Sequence, residues 1–398
     1  DLIIANGKVV TPHGMLDANI GVKDGKIAAL FSVSEKVDAQ QIVDAKDLIV
    51  LPGLIDVHVH GGYGDPDRET LKNVSMAAAA GGITTIFDQP LSNPSTVTLQ
   101  EVQAKQEVAE KECVVDFALW GGLIPGHVED LEPMFRYGAQ AFKAFMCRCS
   151  NYPMSPDGLL LKGMRQIGNL GGLVAVHAEN DTLIQQLVDD FKAEGRKDVK
   201  AYLESHPVYS ELEAVKRFIF LASLAPKCKA HIVHMSIPEG AEAVERARGE
   251  GLRNLTVETC PQYLALWEEH LYEVGGVAKC DPPVRSREAV DKLWEYVLDG
   301  TIDLIASDHS PHSFTKKKPI NGNFWTVSEG VTGVQTMLPA VVTAGQNRGL
   351  TWEKVAELMA SNPAKTYGLY GRKGAIEIGF DADFVLISPM ERWTLKKD

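Results

Sequence analysis

The chain has 398 residues, 45% of them hydrophobic and 23% charged, and its 40 basic residues against 53 acidic ones leave a formal charge of −13. Such a length exceeds what one hydrophobic core serves, so a large barrel with an appendage, or two domains, is expected. The composition excludes a disordered chain, and the acidic balance argues against nucleic acid or anionic lipid and for a small-molecule partner.

The first stretch, "DLIIANGKVV", lacks the charged start, apolar run and cleavage site of a signal peptide. No window approaches the roughly 18 consecutive apolar residues of a membrane helix. A cytoplasmic protein is expected. Residues 1–50 carry short alternating stretches with turn signals at Asn6-Gly7 and Asp24-Gly25, which predict hairpins. The segment "GRKGAIEIGFDADFVLISP" has the same character, so residues 1–50 and 371–398 are expected to form one small β-sandwich module from both chain ends.

Between these ends, 51–370 alternates apolar β-rich runs with helical patterns: "LIDVHVH" at 54–60, then runs at 84–90, 115–122, 141–146, 173–179, 230–236, 255–261 and 303–309. Helical spacing appears between them, as in "TLQEVQAKQEVAEKE". Eight apolar strands alternating with helices predict a (β/α)8 barrel of TIM type within an α/β fold. A doubly wound open sheet would more often show a Gly-rich phosphate loop after its first strand, and none is evident.

Side chains alternate along a strand, so Asp56, His58 and His60 share one face, and both histidines reach the C-terminal mouth of the first barrel strand, where barrel active sites sit. Other strands end alike. Lys143 lies in the fourth run, His177 in the fifth, His234 in the sixth, with His231 three residues earlier on the opposite face, and Asp308 with His309 in the eighth. Imidazole and carboxylate are common ligands of zinc, manganese and iron, and so many polar residues at one depth are hard to explain as packing. Lys143 is the odd member. An ammonium facing cations is repelled, so it is either an ion-pair partner elsewhere or an amine converted to an anion by carbamylation.

The six cysteines are scattered, as suits reduced thiols, and the close pair Cys147 and Cys149 falls short of the four ligands of a structural zinc site.

The motifs "PGLIDVHVH", "GGITTIFDQP", "AFKAFM", "VAVHAEN", "HIVHMS", "ETCPQYL", "KCDPPVRS" and "ASDHSPH", in this order, resemble the cyclic amidohydrolases of the amidohydrolase superfamily, the group of hydantoinases, dihydropyrimidinases, allantoinases and dihydroorotases. The resemblance implies two divalent metals, zinc above manganese, cobalt or iron, with His58 and His60 on one, His177 and His234 on the other, and carbamylated Lys143 bridging both. Asp308 would bind the first metal and act as general acid/base toward a hydroxide held between the two, which opens a cyclic amide or ureide. A homodimer or homotetramer is also implied.

Substrate choice is mixed. Arg148 stands where hydantoinases and dihydropyrimidinases carry a tyrosine that supports the oxyanion. "GGYGDPDRET" only loosely resembles the arginine segment of allantoinases and dihydroorotases, while Gln262 looks like the hydantoinase form and "ASDHSPH" like allantoinases. Hydantoin and allantoin therefore stand level, dihydropyrimidine next and dihydroorotate last. Arg148, Cys260, Asn323 and Gly330, in loops at 61–70, 147–153 and 321–333 or at the seventh strand end, are the candidate substrate contacts. A non-catalytic scaffold relative is the reading of a different class, and the complete ligand set argues against it.

Overall fold

In the computed structural model, which describes residues 1–149 and 152–394, the alternation of the first fifty residues yields five strands: β1 (Leu2–Thr11), β2 (Gly14–Lys23), β3 (Lys26–Phe31), β4 (Gln41–Asp44) and β5 (Ile49–Pro52). Asp24 and Gly25, with φ of 51° and 72°, make the two-residue turn between β2 and β3 that their sequence predicts. Asn6-Gly7 does not turn the chain. The β1–β2 hairpin closes where Thr11 pairs with Gly14, and Asn6, with φ of 63°, sits in a bulge inside β1 where the register shifts between Ile4 and Gly7. A Cβ on Gly7 would lie 2.6 Å from Val50 Cγ2, so glycine lets β5 pack against the bulge.

The strand Phe384–Ile387 pairs antiparallel with β5, so both chain ends join one mixed sheet in the order Phe384–Ile387, β5, β1, β2, β3, with β4 beside β1. By hydrogen bonding this is a single six-stranded sheet, where two stacked sheets are expected from the sequence. Its core includes Ile4, Val9, Ile20, Ile27, Val50 and Ile376. This unit takes in Asp1–Ile55, Gly82–Thr84 and the chain from Leu350; residues 395–398 of the expected module lie outside the described residues.

The second unit is Asp56–Gly81 with Thr85–Gly349. The strands that follow β5 in the chain are β6 (Leu54–Val59), β7 (Ile83–Asp88), β8 (Asp116–Leu119), β9 (Gly121–Gly122), β10 (Ala141–Phe145), β11 (Leu173–His177), β12 (Lys229–Ile232), β13 (Leu255–Thr259) and β14 (Leu304–Ile305). Each overlaps one of the eight apolar runs, the third supplying both β8 and β9. Every residue of β6, β10 and β11 is buried, as strands covered on both faces must be.

Strands β9 to β14 form one parallel sheet in sequence order, and β6, β7 and β8 form a sheet of three. Past β14 the chain runs beside β6: His309 bridges Val59, and its carbonyl accepts the His60 N–H at 2.7 Å. Helices fill the connections. Leu99–Glu112 starts at a capping box in which Thr98 and Glu101 satisfy each other's backbone N–H groups. Parallel strands joined this way send their C-terminal ends to one edge. Among the described residues no helix is long and apolar enough to cross a membrane.

Candidate metal centre

That edge gathers the histidines. His58 and His60 leave β6 on one face, His177 is the last residue of β11, and His234 and Asp308 stand just beyond β12 and β14. Ring centroids are 5.2 Å apart for His58 and His60, 5.6 Å for His58 and His234, and 4.5 Å for His177 and His234. Asp308 Oδ1 lies 3.2 Å from His58 Nε2 and 3.3 Å from His60 Nε2. All five residues are buried. His234 and Asp308 adopt left-handed φ values of 41° and 49°, uncommon for residues with a Cβ, which turn the chain immediately past the strand ends.

Burial sets the protonation states. Loss of solvent pushes His60 down to about 3, and its contact with Asp308 opposes this only in part. His234 is driven well below its ordinary value by burial, then by His177 and Lys143. Both rings are neutral at physiological pH and keep a lone pair for coordination. Burial alone would raise Asp308, but the facing His58 and His60 outweigh it and hold the carboxyl below its ordinary range.

Lys143, opposite Ala175 in the β10–β11 register, is wholly buried with Nζ 5.2 Å from the Phe145 ring centroid. Burial lowers its amine to about 8, against the pull of Asp308 and Glu258.

The residues present fit a divalent cation. Ligand atoms of His58, His60 and Asp308 all lie within 4.8 Å of one another. His58 Nε2, which like His60 Nε2 faces Asp308, is buried with no hydrogen-bond partner among the described residues, a costly state that coordination would relieve.

Sequence reasoning missed Glu258 and Glu179. Glu258, wholly buried in β13, accepts from His58 Nδ1 at 2.5 Å and from His231 Nε2 at 3.1 Å. A proton fixed on Nδ1 leaves Nε2 of His58 as the coordinating atom. Burial would raise the Glu258 carboxyl, but the two imidazoles more than offset that and hold it far below its usual range. Its signal was present in "LTVETCP", since a carboxylate inside an apolar strand requires a partner. Glu179 Oε2 lies 2.7 Å from His177 Nε2.

His231 is not turned away from the site as alternation suggests. The chain leaves the strand after Ile232, and the left-handed His234 turns back, so His231 meets Glu258 through its ring and His234 meets it through its backbone N–H at 3.3 Å. Asp56 accepts the backbone N–H groups of Ser307 and His58 at 3.0 and 3.2 Å, pinning two strand ends. His309 Nδ1 accepts the backbone N–H groups of Gly333 and Val334 at 3.0 and 3.3 Å.

The candidate substrate contacts are placed as follows. Arg148 donates to Asp181 from its backbone at 2.8 Å and from Nε at 2.9 Å, with its side chain largely exposed. Asn323 Oδ1 accepts the Trp325 N–H at 3.1 Å. Gly330, with φ of 129°, donates to the Lys279 carbonyl at 2.9 Å. Cys260 is buried ahead of the short helix Pro261–Ala265. Ser150 and Asn151 of the expected pocket loop lie outside the described residues.

Residues 49–397 match the sequence model of the amidohydrolase family. The chain belongs to that family. This amidohydrolase is 40% identical to an allantoinase of Bacillus velezensis, over all of this chain and 87% of that one. It is 37% identical to an L-hydantoinase of Paenarthrobacter aurescens, over 97% of this chain and 85% of that one. Its fold matches the structure of L-hydantoinase (dihydropyrimidinase) from Arthrobacter aurescens with a TM-score of 0.91 and 38% identity, over 96% of this chain and 86% of that one.

Proposed function

We propose that this amidohydrolase hydrolyses a carbon–nitrogen bond of a cyclic amide or ureide of hydantoin or allantoin type, releasing an N-carbamoyl or ureido acid. The observation that carries the reading is the buried group of His58, His60, His177, His234 and Asp308, in a chain whose relatives along nearly its whole length include an allantoinase and an L-hydantoinase. In this reading 51–370 is one (β/α)8 barrel domain, which the bridge between His309 and Val59 supports, and 1–50 with 371–398 is the terminal β module. The homodimer or homotetramer rests on the family resemblance.

His58, His60 and Asp308 would hold one divalent cation and His177 with His234 a second; zinc suits these donors, with manganese, cobalt or iron as alternatives. When bound, such a pair acidifies water and polarises a carbonyl. Lys143 would carry a carbamate: a buried amine lowered to about 8 is neutral more often than an ordinary lysine, and its nitrogen adds to carbon dioxide as it releases a proton. Asp308, held as a carboxylate, takes the proton of the attacking water and returns it to the ring nitrogen as the carbon–nitrogen bond breaks. Glu258 keeps His58 in the required tautomer.

The test is a side-by-side ring-opening assay on hydantoin, a 5-substituted hydantoin, allantoin, dihydrouracil and dihydroorotate, with protein loaded with zinc or manganese in bicarbonate. Turnover of hydantoin or allantoin above the other rings is expected, with Asp308→Asn losing on the order of 10²–10⁴-fold while keeping its circular dichroism. Protein that binds no metal and opens no ring would return the chain to the scaffold reading.

A further inference from the structure

Cys147 has no part in this chemistry. It lies two residues past the end of β10, and its thiol, a nitrogen of His177 and an oxygen of Glu179 lie within 4.8 Å of one another, with all three residues buried. Glu179 is 1% exposed. Its Oε2 is bonded to His177 Nε2, while Oε1 has no hydrogen-bond partner among the described residues. A buried carboxylate oxygen without a donor is costly, and a cation would satisfy it together with a thiol and an imidazole.

The cluster is built on fixed parts. The Met146 N–H donates to the His177 carbonyl at 3.0 Å, tying the two strand ends together, and the Phe145 ring stacks on His177 at 5.1 Å between centroids. Arg148, next in the chain, is anchored on Asp181, two residues beyond Glu179.

We propose that Cys147, His177 and Glu179 form a binding site for a thiophilic divalent cation, and that its occupation inhibits the enzyme. Sulfur, imidazole and carboxylate together select cadmium or surplus zinc over magnesium and calcium, which take oxygen ligands. On binding, the Cys147 thiol gives its proton to solvent and its sulfur lone pair to the cation. His177 explains the inhibition. A neutral imidazole has one proton and one lone pair, so a cation on Nε2, the nitrogen turned to Glu179, forces the proton onto Nδ1 and leaves the ring nothing to offer a second cation. The inhibitory half of this inference rests on the proposed function; the binding half does not.

The experiment is a cadmium titration of the full chain, purified with its own metals, read by thiolate-to-cadmium charge-transfer absorption. The parallel reading is ring opening, taken relative to each variant's own rate without cadmium. A saturating absorption step is expected in the wild type and in Cys149→Ser, and is lost in both Cys147→Ser and Cys147→Ala. Glu179→Gln should weaken cadmium binding by about tenfold. Wild-type turnover should fall by about tenfold or more where the Cys147 variants keep most of theirs. The same step and the same inhibition in both Cys147 variants would overturn the site, and a Cys147-dependent step without inhibition would overturn the exclusion at His177. A Cys147-dependent step in a protein that opens no ring upholds the site and sinks the hydrolase reading alone.

Discussion

A neutral imidazole can present either nitrogen, and the one it presents is decided by what the other holds. Glu258 decides for His58. Glu258→Gln keeps the shape and removes the charge that fixes the Nδ1 proton, so metal affinity or turnover is expected to fall by about 10–100-fold. Elemental analysis of the purified variant and its kcat check this, and wild-type values for both would refute the role. Gly330 acts through its backbone. With φ of 129° and a would-be Cβ only 2.5 Å from the Ser310 carbonyl oxygen, it has neither the conformation nor the space for a side chain. Gly330→Ala should lower stability by about 1–3 kcal/mol, read as a shift in the urea midpoint at constant slope. An unshifted midpoint would show that the loop relaxes freely.

Among elements, the segment after Phe314 shows why part of the structure was not legible in the sequence. In "FTKKKPINGNFW" the middle one of three successive lysines, Lys317, is buried and donates to the carbonyls of Lys279, Ser328 and Gly330 at 3.0, 2.8 and 2.7 Å. Lys279 in turn donates to the Val327 carbonyl and to Glu329, both at 2.7 Å. Two ammonium groups thus satisfy carbonyls that a sheet ladder would otherwise satisfy. Nothing local distinguishes the inward lysine from its neighbours. Burial lowers Lys317 to about 8, with Cys280 and Glu329 opposing, whereas the unfolded side chain titrates near 10.5. Between those values the unfolded chain binds more protons, so this position adds stability as pH rises through the window and is level below it. The unfolding free energy of wild type relative to Lys317→Met should therefore grow between pH 8 and pH 10, by at most about 3 kcal/mol. Urea titrations of both proteins at the two pH values decide it, and a flat or falling difference would contradict the burial of a titrating amine.

The strand runs were legible because burial on both faces leaves an unbroken apolar signature, and His58 and His60 because two imidazoles in such a run are anomalous. Asn6-Gly7 misled for a different reason. The pair supplies positive φ to a turn or a bulge alike, and the register with β2 and β5 chose the bulge. Glu258 was visible but unread, because its partners lie 200 and 27 residues away in sequence.

At the scale of the molecule, the candidate ligands run from His58 to Asp308, and ring contacts and ion pairs bring them together only when β6, β11, β12 and β14 are in place. An unfolded chain has no such site, so cations that bind there stabilise the folded state by mass action, by about 2.7 kcal/mol for a site held at 100 times its Kd. Chelation is expected to lower the thermal midpoint by several degrees, and restoring zinc to recover it. In His58→Asn the same treatment should move the midpoint less, because one imidazole no longer contributes. None of these candidate ligands lies in the terminal sheet, so where calorimetry resolves a second transition, that transition should stay in place. A midpoint indifferent to chelation in the wild type would mean that the buried nitrogens of His58 and His60 hold no cation, and the proposed hydrolysis would lose the chemistry on which it depends.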